Sequence, residues 1–290
     1  MTWQVVINPV AGSRPVLREK VEKALAEAGV VASVHTPSDL PSMRRALAEV
    51  ASEERLAVVG GDGTVNLAAN VLAEHGGRPP ILGVLPAGTG CDLLRTFGIP
   101  QDLAGAATHL QGDDVYEIDV GELEGEWGSR RFVNVAQSGV GAAAVETAVR
   151  LSRRYGTRRY LLSFALRLPR FRGTEISLVT ERREYAGPAL AVVMANGQFF
   201  AGGWNIAPKA MLVDGKLDLQ VIDVPKSQAP TLVPKIVKGL HLGHRGVHRI
   251  SAASFRLETE LPWPVEVDGD PLGNTPVSGR VLPAAIRLKI

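Results

Sequence analysis

Hydrophobic positions in the first third of the chain alternate between two spacings. Trp3, Val5, Val6 and Ile7 form a short apolar run that stops at Asn8-Pro9. Leu17, Val21, Ala24, Leu25 and Ala28 then recur at the three-to-four-residue spacing of one helix face, which Gly29 ends. Residues 30–35 predict a strand, 40–54 a helix through Met43, Leu47 and Val50, and 56–59 a second apolar run. Residues 64–74 predict another helix (Leu67, Ala68, Val71, Leu72), and 81–85 a further run closed by Pro86. Helices alternating with continuously apolar strands predict a doubly wound α/β domain, its parallel sheet covered on both faces. After about residue 113 the alternation stops. Segments 115–120, 132–136, 175–180, 190–195, 217–222, 254–258 and 265–267 predict strands, with helices only near 140–153, 159–168 and 228–240. This predicts a second, mainly antiparallel β domain. The boundary falls between residues 111 and 125, giving domains of 1–120 and 121–280.

Composition narrows the classes. Two domains suit 290 residues, and 45% hydrophobic residues supply enough apolar side chain to exclude disorder. A net charge of +2 argues against a nucleic-acid partner, which normally calls for a basic excess. The single cysteine, Cys91, excludes an intrachain disulfide and a cysteine-rich zinc site. The amino terminus lacks a basic export signal, and no apolar run reaches the ~20 residues of a membrane span. The expectation is a cytoplasmic enzyme or binding protein, with peripheral contact at the inner face of a membrane left open.

The sharpest motif is Gly60-Gly61-Asp62-Gly63-Thr64, fed by an apolar run and followed by a helix. Glycines there let backbone N–H groups approach a ligand, and the helix start adds a positive dipole end, a combination that favours phosphate. Pro86-Ala87-Gly88-Thr89-Gly90-Cys91-Asp92 and Asn8-Pro9-Val10-Ala11-Gly12-Ser13 have the same strand, small-residue turn and helix construction. Each taken alone is also readable as a plain tight turn. The chain has no P-loop, no dinucleotide fingerprint after the first strand and no nucleophile elbow. In the second domain, Asp214-Gly215-Lys216-Leu217-Asp218 and Asp268-Gly269-Asp270 place carboxylates beside glycine turns. They offer oxygen ligands for Mg²⁺ and a proton acceptor for phosphoryl transfer, or simply two surface turns.

Taken in order, these motifs resemble the soluble bacterial diacylglycerol kinase-type (YegS-like) lipid kinases, which are related to sphingosine and ceramide kinases. The resemblance runs through Asn8-Pro9-x-Ala11-Gly12, residues 60–66, Pro86-Ala87-Gly88-Thr89, Asn196-Gly197 with Gly202-Gly203 and Ala207-Pro208, Asp214-Gly215-x-Leu217-Asp218, and Asp268-Gly269-Asp270. It implies an active site in the cleft between two domains, with residues 281–290 returning to the first. It implies ATP held by Asn8, Pro9, Gly12, Thr36, Gly60, Gly61, Asp62, Gly63, Thr64, Asn66, Gly88 and Thr89. It implies Mg²⁺ at Asp214, with the carbonyls of Met211 and Lys216, and a general base at Asp270 with Asp268 beside it. The function implied is transfer of the γ-phosphoryl group of ATP to the hydroxyl of diacylglycerol or a related glycerolipid. The alternatives are an NAD kinase-like enzyme, which shares Gly-Gly-Asp-Gly-Thr, and a non-catalytic nucleotide- or lipid-binding regulator.

Two positions depart from the family pattern. Cys91 stands where the family usually has asparagine, which makes two-sided hydrogen bonds that a thiol does not. Asp270 stands where it usually has glutamate, one methylene longer, leaving either Asp268 or Asp270 as the working base. Elsewhere, residues 150–172 carry Arg150, Arg153, Arg154, Arg158, Arg159, Arg167, Arg170 and Arg172 without an acid, interleaved with aromatic and aliphatic residues. This is either a surface for an anionic bilayer or a solvated face with snorkelling arginines. Phe199, Phe200 and Trp204 either line an acyl-chain entrance or pack the β domain. His241, His244 and His248 have ligand-like spacing, but Gly243 and Gly246 between them favour solvated histidines.

Overall fold

The computed structural model describes residues 2–11, 16–52, 54–75, 79–87, 91–152, 155–156 and 158–290. They form two compact units, one of residues 1–119 with 284–290 and one of residues 120–283.

The first unit is built on the parallel strands β1 (Trp3–Ile7), β2 (Ala32–His35), β3 (Arg55–Gly60) and β4 (Ile81–Pro86), in the order β2-β1-β3-β4. All six residues of β4, and five of six in β3, are buried, as continuous apolar runs require when both sheet faces are covered. Between them lie α1 (Arg18–Glu27), α2 (Leu40–Glu49) and α3 (Asp62–His75); α4 (Asp92–Thr96) and α5 (Leu103–Thr108) follow β4. Helix α2 starts at a capping box: the Ser42 N–H donates to Asp39 Oδ1 at 2.7 Å, and the Asp39 N–H donates to Ser42 Oγ at 3.1 Å. The crossover from β1 runs to β2, and those from β2 and β3 run the opposite way. Right-handed crossovers then put α1 on one face and α2 and α3 on the other; α2 packs on α3, and α1 on α5. The strand order therefore reverses between β1 and β3, and the loops leaving these two strands flank a topological switch point.

The second unit is a sandwich. One sheet is antiparallel, in the order β12 (Val247–Ala252), β11 (Leu217–Ile222), β10 (Ala191–Ala195), β7 (Val135–Gly139), β14 (Pro264–Val267), β15 (Asp270–Asn274). The other contains β8 (Thr174–Thr180), β9 (Glu184–Ala189) and β13 (Ser254–Thr259), with β5 (Val115–Gly125), β6 (Gly128–Phe132) and β16 (Val277–Lys289). Alternate residues of both sheets, among them Phe132, Met194, Leu219, Leu257 and Val267, fill the core between them. Strands β7, β10 and β11 are buried throughout, because α6 (Val140–Ala148), α7 (Arg158–Arg167) and α8 (Ala229–Val237) cover their second face. In the first unit, Arg287 and Leu288 of β16 pair in parallel with Ile81 and Leu82 of β4.

Candidate active site

The switch point of the first unit is closed by a side-chain latch. Asn8 follows β1, and its Nδ2 donates to Thr64 Oγ1 in the first turn of α3 at 2.7 Å, both residues buried. The Asn8 Oδ1 accepts from the Val10 N–H at 2.9 Å, so Pro9 and Val10 turn away from the sheet. Gly60 is required for steric reasons: a Cβ there would lie 2.0 Å from Thr64 Oγ1. Gly63 differs. A Cβ at that position meets no atom of the described residues within 4 Å, so among them its side of the first turn of α3 is open. The turn that the glycine cluster predicts is thus narrow beneath Gly60 and open at Gly63, a cradle of the kind that admits a phosphate at a helix start.

Asp62 is turned towards the fold. Its Oδ1 accepts the N–H of Asp92 at 2.7 Å and that of Leu93 at 3.4 Å, supplying the cap that Cys91 does not give to α4. Cys91 is buried, with Sγ 3.5 Å from the same oxygen and its N–H donating to Gln101 Oε1 at 2.8 Å. Burial, with Asp62 beside it, raises the thiol well above its ordinary range, so it stays protonated as a weak donor. One carboxylate thus joins the loops after β3 and β4 at the place where the family's asparagine is missing. Asn66 is buried, with its backbone carbonyl accepting from Asn70 Nδ2 at 2.9 Å. Thr36 is exposed just past β2. Gly12, Gly88 and Thr89, and the arginines Arg153 and Arg154, lie outside the described residues.

In the second unit, the tight connection between β14 and β15 carries Asp268-Gly269-Asp270. Its two carboxylates are unlike. Asp268 adopts a left-handed φ of 46°, and its carboxylate accepts the N–H groups of Val133 (2.8 Å), Asn134 (3.0 Å) and Val135 (2.9 Å). Those three donors clamp the turn to the connection between β6 and β7. Asp270 is exposed, and its Oδ2 lies 3.1 Å from the Arg130 guanidinium. Of the pair, Asp270 has the carboxylate that is open to solvent.

A third carboxyl, which the sequence motifs did not single out, lies two residues upstream. Glu266 is fully buried; its Oε2 accepts the Gly269 N–H at 2.7 Å and its Oε1 accepts from Gln137 Nε2 at 2.8 Å. Burial, reinforced by Asp268 and Asp270, pushes it up to about 8. Its sequence signal is only a glutamate alternating with Val265 and Val267, which face the sandwich core, in a strand otherwise read as apolar.

The Asp214 turn precedes β11. Asp214 is exposed, and its Oδ1 accepts the Lys216 N–H at 3.1 Å, while Gly215 takes a left-handed φ of 67°. Asp218 is not a second open ligand: it is buried, paired with Arg249, and accepts from Gln220 Nε2 at 2.9 Å. One carboxylate and the carbonyls of Met211 and Lys216 are hard oxygen donors that fit Mg²⁺ with water completing its shell. Among the described residues no three histidine, cysteine, aspartate or glutamate side chains gather as a metal site. His241 is buried against Gln220 at 2.8 Å, whereas His248 lies 4.0 Å from Asp223.

On the helix-covered face of the antiparallel sheet lies a small apolar cavity of about 80 Å³. Phe200, Trp204 and the α7 residues Tyr160 and Phe164 line it, whereas Phe199, the third aromatic weighed as entrance or packing, is not in its wall. The outer side of α7 exposes Leu161, Leu162 and Leu166 by nearly half, and Arg150, Arg158, Arg170 and Arg172 are exposed nearby. No helix among the described residues is long and apolar enough to cross a membrane.

Comparisons with known proteins give this arrangement a family. Residues 2–123 match the diacylglycerol kinase catalytic domain, and residues 134–290 match the YegS C-terminal NAD kinase beta sandwich-like domain. A Klebsiella pneumoniae protein named probable lipid kinase YegS-like is 29% identical across 99% of this chain and 95% of its own length. A Staphylococcus carnosus diacylglycerol kinase is 27% identical across 95% of this chain and 90% of its own. A solved diacylglycerol kinase structure from Bacillus anthracis has the same fold, with a TM-score of 0.76, 24% identity, and coverage of 99% of this chain and 96% of that one. With both halves matched in order, the chain belongs to the YegS-like, diacylglycerol kinase-type family of lipid kinases.

Proposed function

We propose that this kinase transfers the γ-phosphoryl group of ATP to a hydroxyl of diacylglycerol or a related glycerolipid. The observation that carries the reading is the open first turn of α3 at the switch point, where Gly63 leaves room for a phosphate and the Asn8–Thr64 latch fixes the loop. The dipole end of a 14-residue helix and its N–H groups favour the anion. Asp62 positions the neighbouring loop from behind.

Asp270 is the general base in this reading. Its carboxylate takes the proton of the acceptor hydroxyl, the oxygen bonds to the γ-phosphorus, and the bond from γ-phosphorus to the bridging oxygen breaks to release ADP. Asp268, held by three N–H groups, fixes the turn that presents Asp270, and Arg130 steadies the carboxylate. When bound at Asp214 and the Met211 and Lys216 carbonyls, Mg²⁺ supplies charge neutralisation for the phosphates. The acyl chain enters at the apolar cavity, whose wall is built from aliphatic and aromatic side chains. The leucines and arginines on and around α7 bring the protein to an anionic membrane at its cytoplasmic face.

The test is incubation with γ-labelled ATP and a panel of diacylglycerol, monoacylglycerol, phosphatidylglycerol, a sphingoid base and NAD. Label in a glycerolipid is the expected result. Label in NAD alone transfers the reading to an NAD kinase, and ATP binding without transfer to any acceptor makes the chain a regulator.

A further inference from the structure

The apolar cavity has one amide in its wall. Gln137 lies on β7, opposite Val193 of β10 on one side and Glu266 of β14 on the other. Its Nε2 is committed to Glu266. Its Oε1 lies over Gly141, which also lines the cavity; a Cβ at Gly141 would fall 2.3 Å from that oxygen. The glycine therefore makes room for an amide oxygen in a wall otherwise built from aliphatic and aromatic side chains. Glu266 in turn grips the Gly269 N–H, at the centre of the Asp268–Asp270 turn. A chain of two hydrogen bonds thus runs from the cavity wall to the carboxylate turn.

We propose that Gln137 and Glu266 are a positioning pair: Gln137 Oε1 accepts a hydrogen bond from a hydroxyl at the polar end of a lipid seated in the cavity, and Glu266 passes that engagement to the turn carrying Asp270. This deepens the lipid-kinase reading and rests on it for the identity of the occupant. An apolar wall rejects little on its own, whereas one buried acceptor discriminates sharply for a ligand that carries a donor. The charged groups acting on Glu266 are few. Asp268 and Asp270 lie in its own turn, Arg130 of β6 pairs with Asp270, β7 offers neutral Gln137, and the only charged residue of α6, Glu146, pairs with Arg167. Its ionisation adds a negative charge behind the turn, so the pair carries a pH signature.

The first measurement uses intrinsic tryptophan fluorescence, since Trp204 lines the cavity. The intact protein is titrated with 1-decanol and with its methyl ether, which lacks the hydroxyl donor. Decanol is expected to bind roughly five- to tenfold more tightly, and Gln137→Met to abolish the difference while the ether still binds. Equal affinity in the wild type, persistence of the ratio in Gln137→Met, or binding of neither probe overturns the cavity role. The second measurement is lipid phosphorylation across about pH 6 to 9 with Glu266→Gln, in which kcat is expected to fall about tenfold, KM for ATP to stay unchanged, and an inflection near pH 8 to disappear. A wild-type kcat and pH profile in that variant overturns the coupling to the turn. Should the wild type phosphorylate no lipid, the kinase reading and the coupling fall together, while the decanol ratio still decides whether Gln137 is a hydroxyl acceptor.

Discussion

Glu266→Gln has a consequence for stability as well as for turnover. In the unfolded chain this carboxyl loses its proton near 4.5, whereas in the fold burial holds the proton until about 8. Between those values the folded state binds a proton that the unfolded state has released, so stability falls as pH rises through the window. It levels above the folded value, and below the unfolded one the contribution is constant. At about 1.4 kcal/mol per pH unit the window corresponds to an upper limit of roughly 5 kcal/mol, reduced where the site relaxes or admits water. Glutamine retains an acceptor for the Gly269 N–H and carries no titrating proton. The assay is urea unfolding of both proteins by tryptophan fluorescence at about pH 5.5, 7 and 8.5, where the variant is expected to gain at least ~2 kcal/mol relative to wild type across the series. Groups common to both proteins cancel in that difference. Parallel curves, with a constant gap at every pH, would refute the buried protonated carboxyl and with it the electrostatic reading of the turn.

The two glycines of the α3 loop should respond oppositely. Gly60→Ala drives a methyl into the Thr64 side chain and should cost about 2 kcal/mol or more in thermal unfolding, while Gly63→Ala should fold within about 0.5 kcal/mol of wild type yet raise KM for ATP. Asp270→Asn should lower kcat by about 10²–10⁴ with little change in nucleotide affinity, read by lipid phosphorylation beside nucleotide binding; full activity would remove it from the mechanism. Reversing Arg158, Arg170 and Arg172 to glutamate should release the protein from phosphatidylglycerol vesicles at low salt, each arginine contributing about 1 kcal/mol near the surface. Unchanged sedimentation would place membrane docking elsewhere.

The local rhythm of the chain determined a great deal. Continuous apolar runs separated by helix-spaced faces specified the parallel α/β half, because burial on both sheet faces leaves no alternation to write. The glycine cluster marked the tight turn from β3 into α3, and the ordered motifs announced the family. What was misread locally was modest. The helix expected over 140–153 ends at Ala148, the strand expected over 132–136 is split between the end of β6 and the start of β7, and the strands β9, β12, β15 and β16 went unmarked because their half-exposed residues mix polar and apolar positions. The roles of the carboxylates could not be read that way. Asp268 and Asp270 are neighbours in a motif, yet one is consumed by N–H groups more than 130 residues away and the other is open to solvent. Glu266 looked like any strand residue until the pairing of β14 with β7 placed it opposite Gln137. Propensity and turn chemistry act over a few residues and are written along the chain. Burial, hydrogen-bond partners and proton affinity are sums over elements that meet only when the sheets assemble, and so tertiary structure alone decided which carboxyl holds the turn, which keeps its proton and which stays open to solvent.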